Sequence, residues 1–125
     1  MDLFQKAHDG DITILDDLNI AVYHDKSGMT PLHYLAGKKQ DALRHFAISL
    51  VKDNDGATPL HIAAMLFPAA LEHAAVATVK DDHGSTPLHY AAICSIEGVE
   101  KHVAFKIVKN SHGLTPEIYY KQSVK

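Results

Sequence analysis

Apolar residues along this chain come in short bursts at helical spacing, separated by polar breaks that carry glycine. Leu3, Phe4 and Ala7 fall on one helical face, and Ile14, Leu15 and Leu18 on another. Between them, Gly10 can close the first helix and Asp11 can cap the second, so residues 1–24 predict a helix pair. From residue 25 a single plan recurs. The turn Asp25-Lys26-Ser27-Gly28 places a glycine where the backbone needs a positive φ. Thr30 then predicts an N-cap, and Pro31 the first helical residue, where its missing N–H is no loss. Leu32, Leu35 and Ala36 form the inward stripe of this short helix, and Gly37 ends it. Asp41 predicts the cap of a second helix, with Ala42, Leu43 and Phe46 as its apolar face.

The plan returns at Asp53-Asn54-Asp55-Gly56 and at Asp81-Asp82-His83-Gly84. Each turn leads into the same tetrapeptide at a constant interval: Thr30-Pro31-Leu32-His33, Thr58-Pro59-Leu60-His61 and Thr86-Pro87-Leu88-His89. The inner helices carry Leu60, Ala63 and Ala64 in one copy, and Leu88, Ala91 and Ala92 in the next. The second helix of the middle unit is predicted to start at Pro68, over Ala69, Leu71 and Ala74. That of the third unit is predicted from about Gly98 to Phe105. Val51-Lys52, Val79-Lys80 and Val108-Lys109 suit extended links into the following turn. The next interval is one position longer, and there the motif degrades to Thr115-Pro116-Glu117-Ile118. Tyr119 and Tyr120 follow it, placed to cover the end of a stack. A fixed period in this range means one supersecondary unit stacked upon itself. A single domain, 1–125, is expected: a capping helix pair at 1–24, full units at 25–52, 53–80 and 81–109, and a half-unit cap at 110–125.

The pattern Asp-x-x-Gly-x-Thr-Pro-Leu-His-x-Ala-Ala, running here from Asp81 to Ala92, resembles the ankyrin repeat, and the match covers essentially the whole chain. The resemblance implies an all-α solenoid of stacked helix–turn–helix units with projecting turns and an L-shaped cross-section. Ankyrin units run to about 33 residues, whereas these run to 28 or 29. The shortfall lies after the second helix, so outer helices of only about two turns are expected, such as residues 41–48. The resemblance also implies a protein–protein interaction scaffold that binds a partner protein through turn tips and the concave face of the inner helices. Carried over by position, the tips are Lys26, Ser27 and Met29; Asn54, Asp55 and Ala57; Asp82, His83 and Ser85; and Ser111, His112 and Leu114. These differ between units while the Gly, Thr and Pro beside them do not.

Composition narrows the setting. Hydrophobic residues make up 46%, enough for a continuous core, and the net charge is −3 from 12 Lys+Arg against 15 Asp+Glu. No long block carries one sign, so nothing draws the chain to nucleic acid or to an anionic membrane. No stretch approaches the ~18 apolar residues of a membrane helix, and the N-terminus lacks the basic-then-apolar order of a secretory signal. The one cysteine, Cys94, excludes an internal disulfide and fits a reducing compartment. A cytoplasmic monomer is expected.

Ten histidines are the unusual feature. Six fall on the repeat: His33, His61 and His89 in one register, His45, His73 and His102 in another. A residue that recurs with the period belongs to the building unit. His33 falls where a capping box would carry Glu or Gln, so its imidazole is expected to reach the Thr30 hydroxyl or the preceding turn. The alternative is a His-based metal-binding module. Neighbouring units in a stack sit about 10 Å apart, too far for one column of imidazoles to share an ion at Zn–N distances of about 2 Å. His83 and His112, at one tip position in consecutive turns, face the same difficulty. Cys94 activated by His89 or His61 would be a nucleophile, weighed against a small buried or half-buried core residue. No glycine-rich phosphate loop, Gly-x-Ser-x-Gly or His-Glu-x-x-His is present, so neither catalysis nor a cofactor is expected. A structural or regulatory subunit of a larger assembly is the remaining alternative. Tyr34 and Tyr90, with Ile62 in the equivalent place, read as packing against the second helices. Burial of the six periodic histidines as neutral groups predicts a loss of stability between roughly pH 6.5 and 5.

Overall fold

The computed structural model describes residues 2–123, apart from the side chains of Leu18 and Ser123. The apolar role expected of Leu18, and residues 1 and 124–125 of the terminal units, lie outside the described residues. Among the described residues the chain is all-helical, with five α-helices and no strand. They are α1 (Leu3–His8), α2 (Pro31–Ala36), α3 (Pro59–Ala64), α4 (Pro87–Ile93) and α5 (Pro116–Ser123). Helices this short do not persist alone in water, so tertiary packing must hold them. That packing runs between consecutive helices: α1 on α2, α2 on α3, α3 on α4, and α4 on α5.

The repeated tetrapeptide accounts for the start of three of them. Thr30, Thr58 and Thr86 accept through Oγ1 from the N–H of His33, His61 and His89. In return the imidazole Nδ1 accepts the threonine N–H, at 3.0, 3.1 and 3.1 Å. This is a capping box with imidazole in the place of a carboxylate or amide. Because Nδ1 receives a backbone N–H, it carries no proton, and each ring is held as the neutral Nε2–H tautomer. The Nε2–H groups donate to the carbonyls of Ala57, Ser85 and Leu114 at 2.9, 2.9 and 2.8 Å. Nδ1 of His33 also lies 2.9 Å from the Thr30 hydroxyl, as expected, while Nε2 reaches forward into the next unit's turn, not back into the preceding one. All three imidazoles are fully buried, so each ties a pair of neighbouring units.

Around these ties lies the core. Leu32, Leu35, Leu60 and Leu88 are fully buried, as are Ala36, Ala63, Ala64, Ala91 and Ala92. Each leucine contributes about 1.5–3 kcal/mol by leaving water, and the alanines let adjacent helices approach closely. Ala7, Ile14, Leu15 and Ile20 extend the same core into the N-terminal unit. There Asp2 caps α1, Gly10 turns the chain at φ +76°, and Asp11 caps a 3₁₀ turn at Ile12–Asp16.

The outer segments depart from expectation. In place of two-turn α-helices the chain forms 3₁₀ turns at Gln40–Arg44, Pro68–Glu72 and Val99–Lys101, followed by further tight turns. So short a unit leaves too few positions to satisfy four unpaired groups at each end of an α-helix, and 3₁₀ bonding closes in a shorter span. Asp41 does not cap: Lys39 holds that position without a side-chain bond, and Asp41 pairs with Arg44 at 3.2 Å. The tighter winding also rotates the faces. Ala42, Ala70 and Val99 are buried, while Ala69 and Ala74 face solvent and Phe46 is 81% exposed. His45, His73 and His102 close these segments, each accepting through Nδ1 from the N–H of Ala47, Ala75 or Ala104 at 3.0 Å. No helix among the described residues is long and apolar enough to cross a membrane.

Candidate functional site

The four turns form one edge of the molecule, and their first residue shapes each of them. Asp25, Asp53 and Asp81 accept through Oδ1 from the N–H groups two and four residues ahead, at 2.8–3.0 Å. Asn110 does the same through its amide oxygen at 3.0 and 3.1 Å. Such side-chain bonding is why Asp and Asn favour turns. Each turn then closes through a left-handed glycine, Gly28, Gly56, Gly84 or Gly113, at φ between +74° and +80°.

The turns are bonded to one another. Asn54 N–H donates to the Ser27 carbonyl at 3.0 Å, Asp82 N–H to Asp55 at 2.9 Å, and Ser111 N–H to His83 at 2.9 Å. The approach is so close that a Cβ at Gly56 would lie 2.8 Å from the Asp82 backbone nitrogen. The Asn54 amide adds a bond to the Lys26 carbonyl at 2.9 Å.

The second oxygen of the turn aspartate has a separate use. The Tyr34 hydroxyl donates to Asp25 Oδ2, and the Tyr90 hydroxyl donates to Asp81 Oδ2. In the last unit Asn110 Nδ2 donates to the Tyr119 hydroxyl at 2.8 Å. The tyrosine column thus joins inner helix to turn, beyond packing alone. The signal for it was the equal spacing of Asp25 from Tyr34, Asp81 from Tyr90 and Asn110 from Tyr119, with Ile62 breaking the series.

These bonds set the local electrostatics. The Tyr34 hydroxyl, helped by the Met29 and Ser27 N–H groups, holds the Asp25 carboxyl below the usual carboxylate range. Burial alone would raise Asp81, but the Tyr90 hydroxyl and the Ser85 and His83 N–H groups together outweigh it and hold it low. Burial, then the Asp81 carboxylate, pushes the Tyr90 hydroxyl well above the ordinary phenol value. His33, His61 and His89 are held below the ordinary imidazole value by burial, which their bonds to carbonyls only partly offset.

Of the tip positions named from the sequence, Lys26 and Ser27, Asn54 and Asp55, Asp82 and His83, and Ser111 and His112 are exposed. The third position of each set differs. Met29, Ser85 and Leu114 are half-buried and Ala57 is buried, because this residue follows the glycine as the chain turns inward. Their backbone N–H and C=O groups are already taken by the turn, so their side chains add little to the display. The exposed tips run from Lys26 through Asp55 and Asp82 to His112, a row of side chains of differing chemistry along one edge.

Cys94 sits exposed at the end of α4, which corrects the buried or half-buried place expected for it. No three His, Cys, Asp or Glu side chains converge among the described residues. The outer side carries a groove of about 690 Å³ that the sequence did not suggest, lined by Leu15, Val22, Phe46 and Leu50 together with Asp16, Asp17 and Arg44. The exposed Phe46 ring is part of its wall, and none of the tip residues lines it. Compared with protein-family models and with curated proteins, the chain finds no match.

Proposed function

We propose that the chain is an ankyrin-type solenoid that serves as a protein–protein interaction scaffold and does no chemistry. A partner protein is bound through the turn tips and the concave face of the inner helices. The observation that supports this reading is the row of turns, each bonded to the next and each presenting two exposed residues that differ from unit to unit. A rigid backbone with variable outward side chains suits recognition. The central pair, Asp55 and Asp82, favours a partner with cationic groups opposite the middle of the edge. A reducing, cytoplasmic setting suits its single exposed thiol.

The test compares tagged wild type with an Asp55→Lys/Asp82→Lys variant as bait in lysate from the native source. Surface exchanges of this kind cost within about 0.5 kcal/mol, so the variant should melt with the wild type. A discrete protein retained by wild type and lost by the variant supports the reading. A protein retained equally by both contradicts it.

A further inference from the structure

We propose that the outer face of the stack pairs with a second copy of the chain, the two lying antiparallel about a twofold axis. The 3₁₀ turns at Ile12–Asp16, Gln40–Arg44, Pro68–Glu72 and Val99–Lys101 each end on a charged, exposed residue. The first turn packs on the second and the second on the third. A Cβ at Gly98 would lie 3.8 Å from Leu71 of the third turn, which sets the fourth beside it. Asp16, Arg44, Glu72 and Lys101 therefore form a column whose charges alternate in sign. Such a column of four is complementary to its own reverse. Turned end for end, Asp16 meets Lys101 of the second copy and Arg44 meets Glu72 of the second copy, and the twofold axis repeats both pairs. A parallel arrangement in register would set like charges together throughout, so the column selects one orientation.

The side chains beside the column fit the same arrangement. Two and six places beyond each charge stand Phe46 and Leu50, then Ala74 and Thr78, then Val103 and Ile107, all exposed and none charged. In the antiparallel pair the bulky Phe46 and Leu50 face the small Ala74 and Thr78 of the second copy. Val103, 86% exposed, and Ile107, 71% exposed, face the groove of about 690 Å³ formed by Leu15, Val22, Phe46 and Leu50. With roughly 150 Å² from an aromatic side chain, the four large apolar residues offer on the order of 500 Å². The charged column brings the face toward the roughly 800 Å² that each partner gives a standard interface. An exposed apolar row of this extent marks an interaction surface.

The column is free to pair. Asp16, Glu72 and Lys101 make no ion pair among the described residues, and the Arg44 pair with Asp41 leaves the arginine side chain 64% exposed. Asp17 and Lys106 lie toward opposite ends of the face, in the same sense as the column, while Glu100 beside Lys101 opposes it in part. None of the tip residues belongs to this face, so the pairing stands or falls apart from the partner reading. It replaces the monomer expected from the sequence.

Sedimentation equilibrium of the full chain tests this by charge exchange. Wild type should show a concentration-dependent dimer at micromolar loading. Arg44→Glu sets carboxylate against carboxylate at both central pairs, and Glu72→Arg sets guanidinium against guanidinium. Each should weaken the dimer about tenfold or more. Mixed in equal amounts, the two single variants should form a heterodimer as tight as the wild-type dimer, because each supplies the sign that the other lacks. The double variant Arg44→Glu/Glu72→Arg should dimerise by itself. These are surface exchanges, so every variant should melt with wild type. Should one not fold, Asp16→Lys and Lys101→Asp repeat the exchange at the outer pairs. A wild type that stays monomeric, single variants that dimerise as well as wild type, or a mixture no tighter than its components overturns the proposal.

Discussion

Gly56 and Gly113 occupy the same place in two turns, at φ +80° and +76°, yet their surroundings differ. A Cβ at Gly113 would meet nothing within 4 Å. At Gly56 it would lie 2.4 Å from Asp82 Oδ1 and 2.8 Å from the Asp82 backbone nitrogen. Alanine at either site bears the left-handed conformational cost of roughly 1–2 kcal/mol. At Gly113 that is the whole effect. At Gly56 the Asp82 carboxylate can swing aside, but the backbone nitrogen cannot retreat without stretching its 2.9 Å bond to Asp55. A strained or lost bond there adds about 1–2 kcal/mol. Gly113→Ala should therefore cost about 1 kcal/mol and Gly56→Ala about 3 kcal/mol. Thermal melts followed by far-UV circular dichroism should fall by about 4 °C for the first and about 12 °C for the second. Urea titrations with an unchanged slope would confirm that the midpoint shifts are changes in stability. Equal losses would refute the claim that the turns are pressed together, since the conformational cost is common to both.

Acid should destabilise the fold as a whole. Burial holds His33, His61, His89 and His45 below the ordinary imidazole value, so the unfolded chain binds more protons than the folded one below roughly pH 6.5. Stability is thus full above that pH and falls beneath it, and melting temperatures that stay level from pH 7.5 down to about 5 would contradict this. Thr58→Ala should cost about 1–2 kcal/mol in urea titration through loss of the α3 cap, and Thr58→Ser should restore most of it. Cys94, being exposed, should react with a thiol reagent in the native state as fast as in urea, and Cys94→Ser should change stability by less than about 0.5 kcal/mol.

The inner helices were legible because their determinants are local. Thr30 and Pro31 start a helix whatever surrounds them, and Leu32, Leu35 and Ala36 mark its buried face. The turns were legible for the same reason, through Asp25 and Gly28 and their counterparts. The outer segments were not. Asp41 is a good capping residue and Phe46 a good core residue, but the span available to each unit decided for a 3₁₀ turn and left one uncapping and the other in water. The His33 ring bonds Ala57 in the following unit, far along the chain, so the motif revealed a capping imidazole without showing which neighbour it grips. At the tips, sequence divergence marked the exposed Asp55 and Asp82 and the inward Ala57 alike, because variability does not report where a side chain points.

Whether buried imidazoles hold the units together is tested most directly by a long-range proton–nitrogen NMR spectrum at neutral pH. His33, His61 and His89 bond the units and cap their helices at once only if each is neutral, protonated at Nε2, and bonded through that proton to the next turn. Three rings in that tautomer, with slowly exchanging Nε2 protons, are the expected result. Rings that are cationic, protonated at Nδ1, or exchanging freely with water would contradict it.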